Sequence, residues 1–206
     1  MKKLLLLTLT LISLSTYSQD EKIQLISKFD YSEHNRENVM ENFLGIQKLD
    51  FSFTNSDKLI GKNFKITLRK YKKGKIEIEK IVINTKEERS PTIGKDFKFS
   101  LITQQILNNE KIAFFFSAFY NKQIFEVNKK FKDGTMLTRE VTAGDEKINF
   151  EIGNETQIAL ITPPNDDPSK GDLGYCEVSK GNIDVAEWYD KYKLSEFFLI
   201  YLTIED

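Results

Sequence analysis

The chain is poor in the residues from which most catalytic and metal sites are built. Among 206 residues it has one cysteine, Cys176, one histidine, His34, and one tryptophan, Trp188. A single cysteine excludes an intramolecular disulfide. A site needing two histidines, or a Cys/His set, has no ligands to draw on, so zinc centres of the usual kinds are excluded. A Ser-His-Asp triad would have to use His34, at the polar start of a candidate surface helix, and no G-x-S-x-G elbow supplies the serine. Cys176 alternates with Val178 and reads as a small buried hydrophobe on a strand rather than as a nucleophile. Glycine is also sparse, at ten residues. No glycine-rich phosphate loop or dinucleotide fingerprint is present, and Gly134, Gly144 and Gly153 stand alone as turn residues. Two acids flanking a cleft would suffice for a glycosidase, but no pair stands out among the acids here. We therefore nominate no catalytic residue and no cofactor.

Long apolar runs are missing as well, except at the start. Lys2 and Lys3 precede an apolar stretch (Leu4–Leu7, Leu9, Leu11, Ile12, Leu14), and Thr16 and Ser18 are small residues at the −3 and −1 positions of a cleavage site. That layout is a secretory signal peptide over residues 1–18, with cleavage expected after Ser18. No cysteine near that point offers a lipid acceptor. Beyond it no run approaches the roughly 20 apolar residues that span a bilayer. We expect a soluble protein of the periplasm or the medium, with residues 19–206 forming one domain, large enough for a core without disulfides.

Charge of one sign is also lacking. Lysine and arginine total 30 against 31 acids, a formal charge of −1. Without Lys2 and Lys3 the balance is −3, which gives no general attraction to nucleic acid or anionic lipid. The basic run Arg69-Lys70-Tyr71-Lys72-Lys73 is offset by acidic neighbours in sequence. The leader ending in Tyr17-Ser18-Gln19, with the Lys-, Asn-, Ile- and Phe-rich body, resembles exported proteins of the Bacteroidota. The resemblance lies in leader and composition alone, and implies export but no activity.

What the chain has in abundance is phenylalanine, sixteen residues, set in period-two patterns. Leu49, Phe51 and Phe53 alternate with polar residues, as do Phe64, Ile66 and Leu68, then Phe97, Phe99 and Leu101, then Ile148, Phe150 and Ile152. Such alternation marks strands with one buried face. Ile112–Phe119, Gln157–Ile161 and Phe197–Ile204 are apolar on both faces and read as central strands or strands covered by a further layer. Nine to eleven strands with hairpin loops and few helices predict a mainly β chain. The expected fold is an antiparallel sandwich, jelly-roll-like, with a half-open barrel as the alternative.

Gly74 suggests a three-residue hairpin loop, Lys72-Lys73-Gly74, setting Leu68 opposite Ile78 and Arg69 opposite Glu77. Asp133-Gly134 suggests a second hairpin between Ile124–Phe131 and Thr135–Val141, although either loop length leaves polar mismatches. A short helix is expected between Ser32 and Gly45, with Val39, Met40, Phe43 and Leu44 as its buried stripe. A second begins at Asp184, placing Val185, Trp188, Tyr189 and Tyr192 on one face.

Two groups are candidates for binding. Asn165, Asp166, Asp167 and Asp172, in the Pro-rich loop 163–173, offer hard oxygen ligands suited to calcium, though not in EF-hand spacing. Trp188, Tyr189 and Tyr192 can form a platform for sugar rings, or instead pin a helix to the sheet. The function expected from these features is a non-enzymatic, exported binding protein whose ligand is a glycan or an envelope protein. A carboxylate-dependent polysaccharide hydrolase and an envelope inhibitor or immunity protein are the alternatives.

Overall fold

Strands with alternating apolar residues are stable only when their apolar side lies on another layer. In the computed structural model, which describes residues 22–29, 36–88, 90–127, 135–142, 145, 147–163, 188–190 and 194–206, two antiparallel sheets provide those layers. One sheet runs in the order β7 (Tyr120–Glu126), β6 (Asn109–Phe116), β5 (Lys98–Ile106), β2 (Ile46–Thr54), β1 (Gln24–Phe29), β9 (Lys147–Asn149). The other runs β4 (Lys75–Asn84), β3 (Asn63–Lys72), β11 (Glu196–Glu205), β10 (Thr156–Thr162), β8 (Leu137–Glu140). This is the β-sandwich that the alternations predict, and neither sheet closes on itself among the described residues.

Leu49, Phe51, Phe99, Leu101 and Phe114 from the six-stranded sheet meet Phe64, Ile66, Leu68, Phe198 and Ile200 from the five-stranded sheet in one buried core. Phe51 stacks on Phe99 at 4.7 Å, and Phe99 stacks in turn on Phe116 at 5.2 Å. Runs apolar on both faces behave in two ways. On β11 the outward Phe197 and Leu199 are buried with Tyr71, Leu160, Leu194 and Trp188, so a further layer does cover that face. On β6 the cover fails: Ala113 is buried, but the outward Phe115 is 42% exposed.

Three local expectations need correction. The hairpin between β3 and β4 pairs Lys72 with Lys75, leaving only Lys73 and Gly74 in the loop, both at positive φ (50° and 76°). That conformation is the two-residue turn whose twist suits a hairpin. An irregularity between Lys70 and Tyr71 then leaves Glu77 out of the ladder, so Arg69 faces Glu79 and Leu68 faces Lys80. The opposite-charge pairing persists, with Glu79 in place of Glu77.

The second correction concerns β7 and β8, which lie in different sheets and form no hairpin. β8 pairs with β10 and β7 with β6. Either hairpin loop length leaves polar mismatches, whereas β8 finds a regular ladder with β10, from Leu137 opposite Thr162 to Glu140 opposite Ala159. Asp133 and Gly134 themselves lie outside the described residues.

The third is the helix. It forms as α1 (Arg36–Phe43) and stops where Gly45 takes a φ of 66°, but it buries none of its residues. Val39, Met40, Phe43 and Leu44 are all exposed, Phe43 at 83%. The helix sits in the β1–β2 connection, where the Gln104 side chain donates to the Leu44 carbonyl. Its eight residues span only about 12 Å, and the apolar stripe they carry is left facing solvent.

Candidate functional site

Antiparallel pairing turns residues far apart in sequence into rows across a sheet. On the outward face of the six-stranded sheet one row reads Lys28, Asp50, Ser100, Phe115, Tyr120, one residue from each of β1, β2, β5, β6 and β7. At about 4.8 Å between strands, it spans roughly 19 Å. A groove of about 760 Å³ opens along it, lined by Lys28, Lys48, Asp50, Lys98, Ser100 and Phe115. Phe51, Phe99 and Phe116, whose rings stack in the core beneath, also line it.

The centre of the row is polar and already oriented. Ser100 donates its hydroxyl to Asp50, and Lys48 approaches the second carboxylate oxygen of Asp50 at 3.2 Å. At one end the rings of Phe115 and Tyr120 stack, with centroids 5.3 Å apart and planes 14° from parallel. Tyr120 is 65% exposed, so the pair presents apolar surface beside charged and hydroxyl groups. Chemically this combination suits a ligand with hydroxyls to exchange and an apolar face to lay on aromatic carbon.

The five-stranded sheet carries a different cluster. Lys70, buried on the inward side of β3, reaches Glu77 at 2.7 Å, Glu196 at 2.6 Å and the Glu126 carbonyl at 2.8 Å. Burial works against its charge, but the hydrogen bonds to Glu196 and Glu77 outweigh it and raise the Lys70 pKa. Hydrogen bonds from Lys70 and Lys72 lower that of Glu77. A hollow of about 540 Å³ lies here, lined by Glu77, Glu126 and Glu196, of which Glu77 and Glu196 meet at the Lys70 ammonium. A glycosidase needs one such acid protonated near neutral pH; Glu77 is instead held ionised.

Glu110 is the opposite case. It points inward from β6, is 1% exposed, and its carboxylate oxygens have no hydrogen-bond partner among the described residues. Burial pushes its pKa up to about 8. A sealed carboxyl of this kind has the pKa of a general acid but no surface on which to meet a substrate.

The aromatic candidates near the C-terminus fall elsewhere. Trp188 is 2% exposed, its ring tilted against Phe197 at 4.9 Å, so its face meets the core and offers no platform to solvent. Tyr189 beside it is half-buried, and Tyr192 lies outside the described residues. Asn165, Asp166, Asp167 and Asp172 also lie outside them, as do His34 and Cys176. No group of three or more potential metal ligands occurs among the described residues. No described helix is long and apolar enough to cross a membrane.

The sequence reading missed the row because its members come from five strands whose order cannot be read from the chain. One signal was present: Phe115 is an aromatic residue out of phase with the buried face of its strand. Compared with known protein families, with characterised proteins and with solved structures, the chain matches none.

Proposed function

We propose that this protein is an exported, non-enzymatic binding module of the periplasm or cell surface, and that it holds a glycan on the outward face of its six-stranded sheet. One observation carries the reading: the exposed, stacked Phe115–Tyr120 pair at the end of a groove whose floor presents Ser100, Asp50 and Lys48. Exposed aromatics beside fixed polar groups are the usual means of holding a sugar ring, and a rigid sheet keeps both in register without closing on the ligand. Glu77, held ionised by Lys70 and Lys72, is no proton donor for a hydrolase, which favours binding over cleavage.

The test is a glycan screen of the protein alongside its Phe115→Ala/Tyr120→Ala variant. Binding of at least one glycan by the parent, lost in the variant while the melting temperature holds, supports the reading. Silence across the screen, or binding that the variant keeps, contradicts it.

A second reading, docking of an envelope protein, is favoured by the exposed stripe Val39, Met40, Phe43 and Leu44 on α1. Unpartnered apolar surface of this kind commonly marks a contact site. Under that reading Phe43→Asp abolishes partner binding and leaves glycan binding intact.

A further inference from the structure

Each of the six strands of the binding sheet contains one lysine and no arginine: Lys122 on β7, Lys111 on β6, Lys98 on β5, Lys48 on β2, Lys28 on β1 and Lys147 on β9. Every one of them falls on the outward face. Lys48 alternates with the buried Leu49, Lys98 with Phe99 and Lys111 with Ile112, while the ladder places Lys147 beside the outward Ile26. Among the described residues, the strands carry two acids on this face, Asp50 and Glu126, and Asp50 is engaged by Ser100 and Lys48. Lys98, Lys111, Lys122 and Lys147 make no ion pair among the described residues. A chain with a net charge of −1 thus gathers a cationic field on a single sheet face.

We infer that the ligand of this face is an acidic glycan, a polysaccharide bearing uronate carboxylates; the inference rests on the glycan-binding reading above. The rows set the geometry. On one side of the Lys28–Tyr120 row lies Lys147–Ile26–Ser52–Lys98, and on the other Lys48–Ile102–Ala113–Lys122. Same-face rows are about 7 Å apart along the strands, within reach of an extended lysine side chain. A sugar chain laid along the central row therefore has ammonium groups on both flanks for its carboxylates, and the Phe115–Tyr120 rings at one end.

Two features favour a uronate over a phosphodiester. Asp50, at the middle of the row, is an acceptor; sugar hydroxyls can donate to it, whereas a phosphodiester backbone presents acceptors and negative charge. Arginine, whose planar fork suits phosphate, is absent from these strands, and lysine serves a carboxylate as a point charge.

The experiment is isothermal titration of the purified protein with polygalacturonate, with its methyl-esterified form, with double-stranded DNA and with anionic phospholipid vesicles, each at low and high salt. We expect polygalacturonate to bind about tenfold or more tightly than the ester, a gap of at least about 1.4 kcal/mol, and to weaken as salt rises. The Lys98→Gln/Lys122→Gln variant loses about tenfold in affinity for polygalacturonate, and Lys98→Arg/Lys122→Arg retains it, at unchanged melting temperature. Equal, salt-indifferent binding of the neutral ester overturns the acidic ligand and leaves the glycan reading standing. DNA or vesicles bound more tightly than polygalacturonate overturn it in favour of those ligands. Binding of neither sugar overturns the inference, and the glycan screen above then decides the reading beneath it.

Discussion

Phe115 and Tyr120 face one another across β6 and β7 and stack in nearly parallel planes while both remain open to solvent. A cross-strand pair of this kind contributes about 0.2–1 kcal/mol to the sheet, too little to explain two large exposed rings on stability grounds. The first prediction follows: Phe115→Ala or Tyr120→Ala lowers unfolding free energy by about 1 kcal/mol or less, measured by urea denaturation. The same substitutions weaken glycan binding about tenfold, a loss typical of a contact residue.

Trp188 is predicted to behave in the reverse way. Its ring fills the layer over Phe197 and Leu199. Trp188→Ala is expected to cost about 3–5 kcal/mol in unfolding free energy. Where the variant still folds, its affinity for glycan equals that of the parent. A weakened affinity at unchanged stability would return Trp188 to the binding site.

Lys70 ties β3, β4, β11 and the end of β7 through Glu77, Glu196 and the Glu126 carbonyl. Removing one member of a buried ionic cluster leaves the other charges uncompensated, so Lys70→Ala is expected to destabilise by about 3–5 kcal/mol. Lys72, on the exposed side of the same cluster, is expected to cost under about 1 kcal/mol when replaced by alanine. Equal costs for the two would contradict the assignment of Lys70 as the buried hub.

Glu110 makes stability depend on pH. Its carboxyl has a folded-state pKa of about 8 against an ordinary 4.5, because burial disfavours the charge. The folded chain therefore holds a proton that the unfolded chain releases. This contribution is complete below about pH 4.5 and is lost as pH rises through about 8, a fall of about 3–5 kcal/mol. Urea midpoints for the parent should drop between those limits, and Glu110→Gln should flatten that part of the profile. A profile unchanged by the substitution would show that Glu110 is not the group responsible.

The alternations at Leu49–Phe53, Phe64–Leu68 and Phe97–Leu101 made the sandwich legible, because period two reports one buried face directly. Charge was legible only in part. Arg69-Lys70-Tyr71-Lys72-Lys73 is the densest basic run, yet folding sets Arg69 against Glu79 and Glu155, Lys70 against Glu77 and Glu196, and Lys72 against Glu77. The six lysines of the six-stranded sheet are scattered singly through 120 positions, and only strand order brings them onto one face. The α1 stripe misled for a related reason. Val39, Met40, Phe43 and Leu44 have the spacing of a buried face, but spacing does not say whether a layer is there to receive them.

In the proposed complex, ligand lies along the row from Lys28 to Tyr120. An amide chemical-shift map of the protein titrated with a short oligogalacturonate tests it most directly. The largest shifts are expected at Asp50, Ser100, Phe115 and Tyr120, with Trp188 and α1 unmoved. Shifts centred on Trp188 or α1, with that row silent, would contradict it.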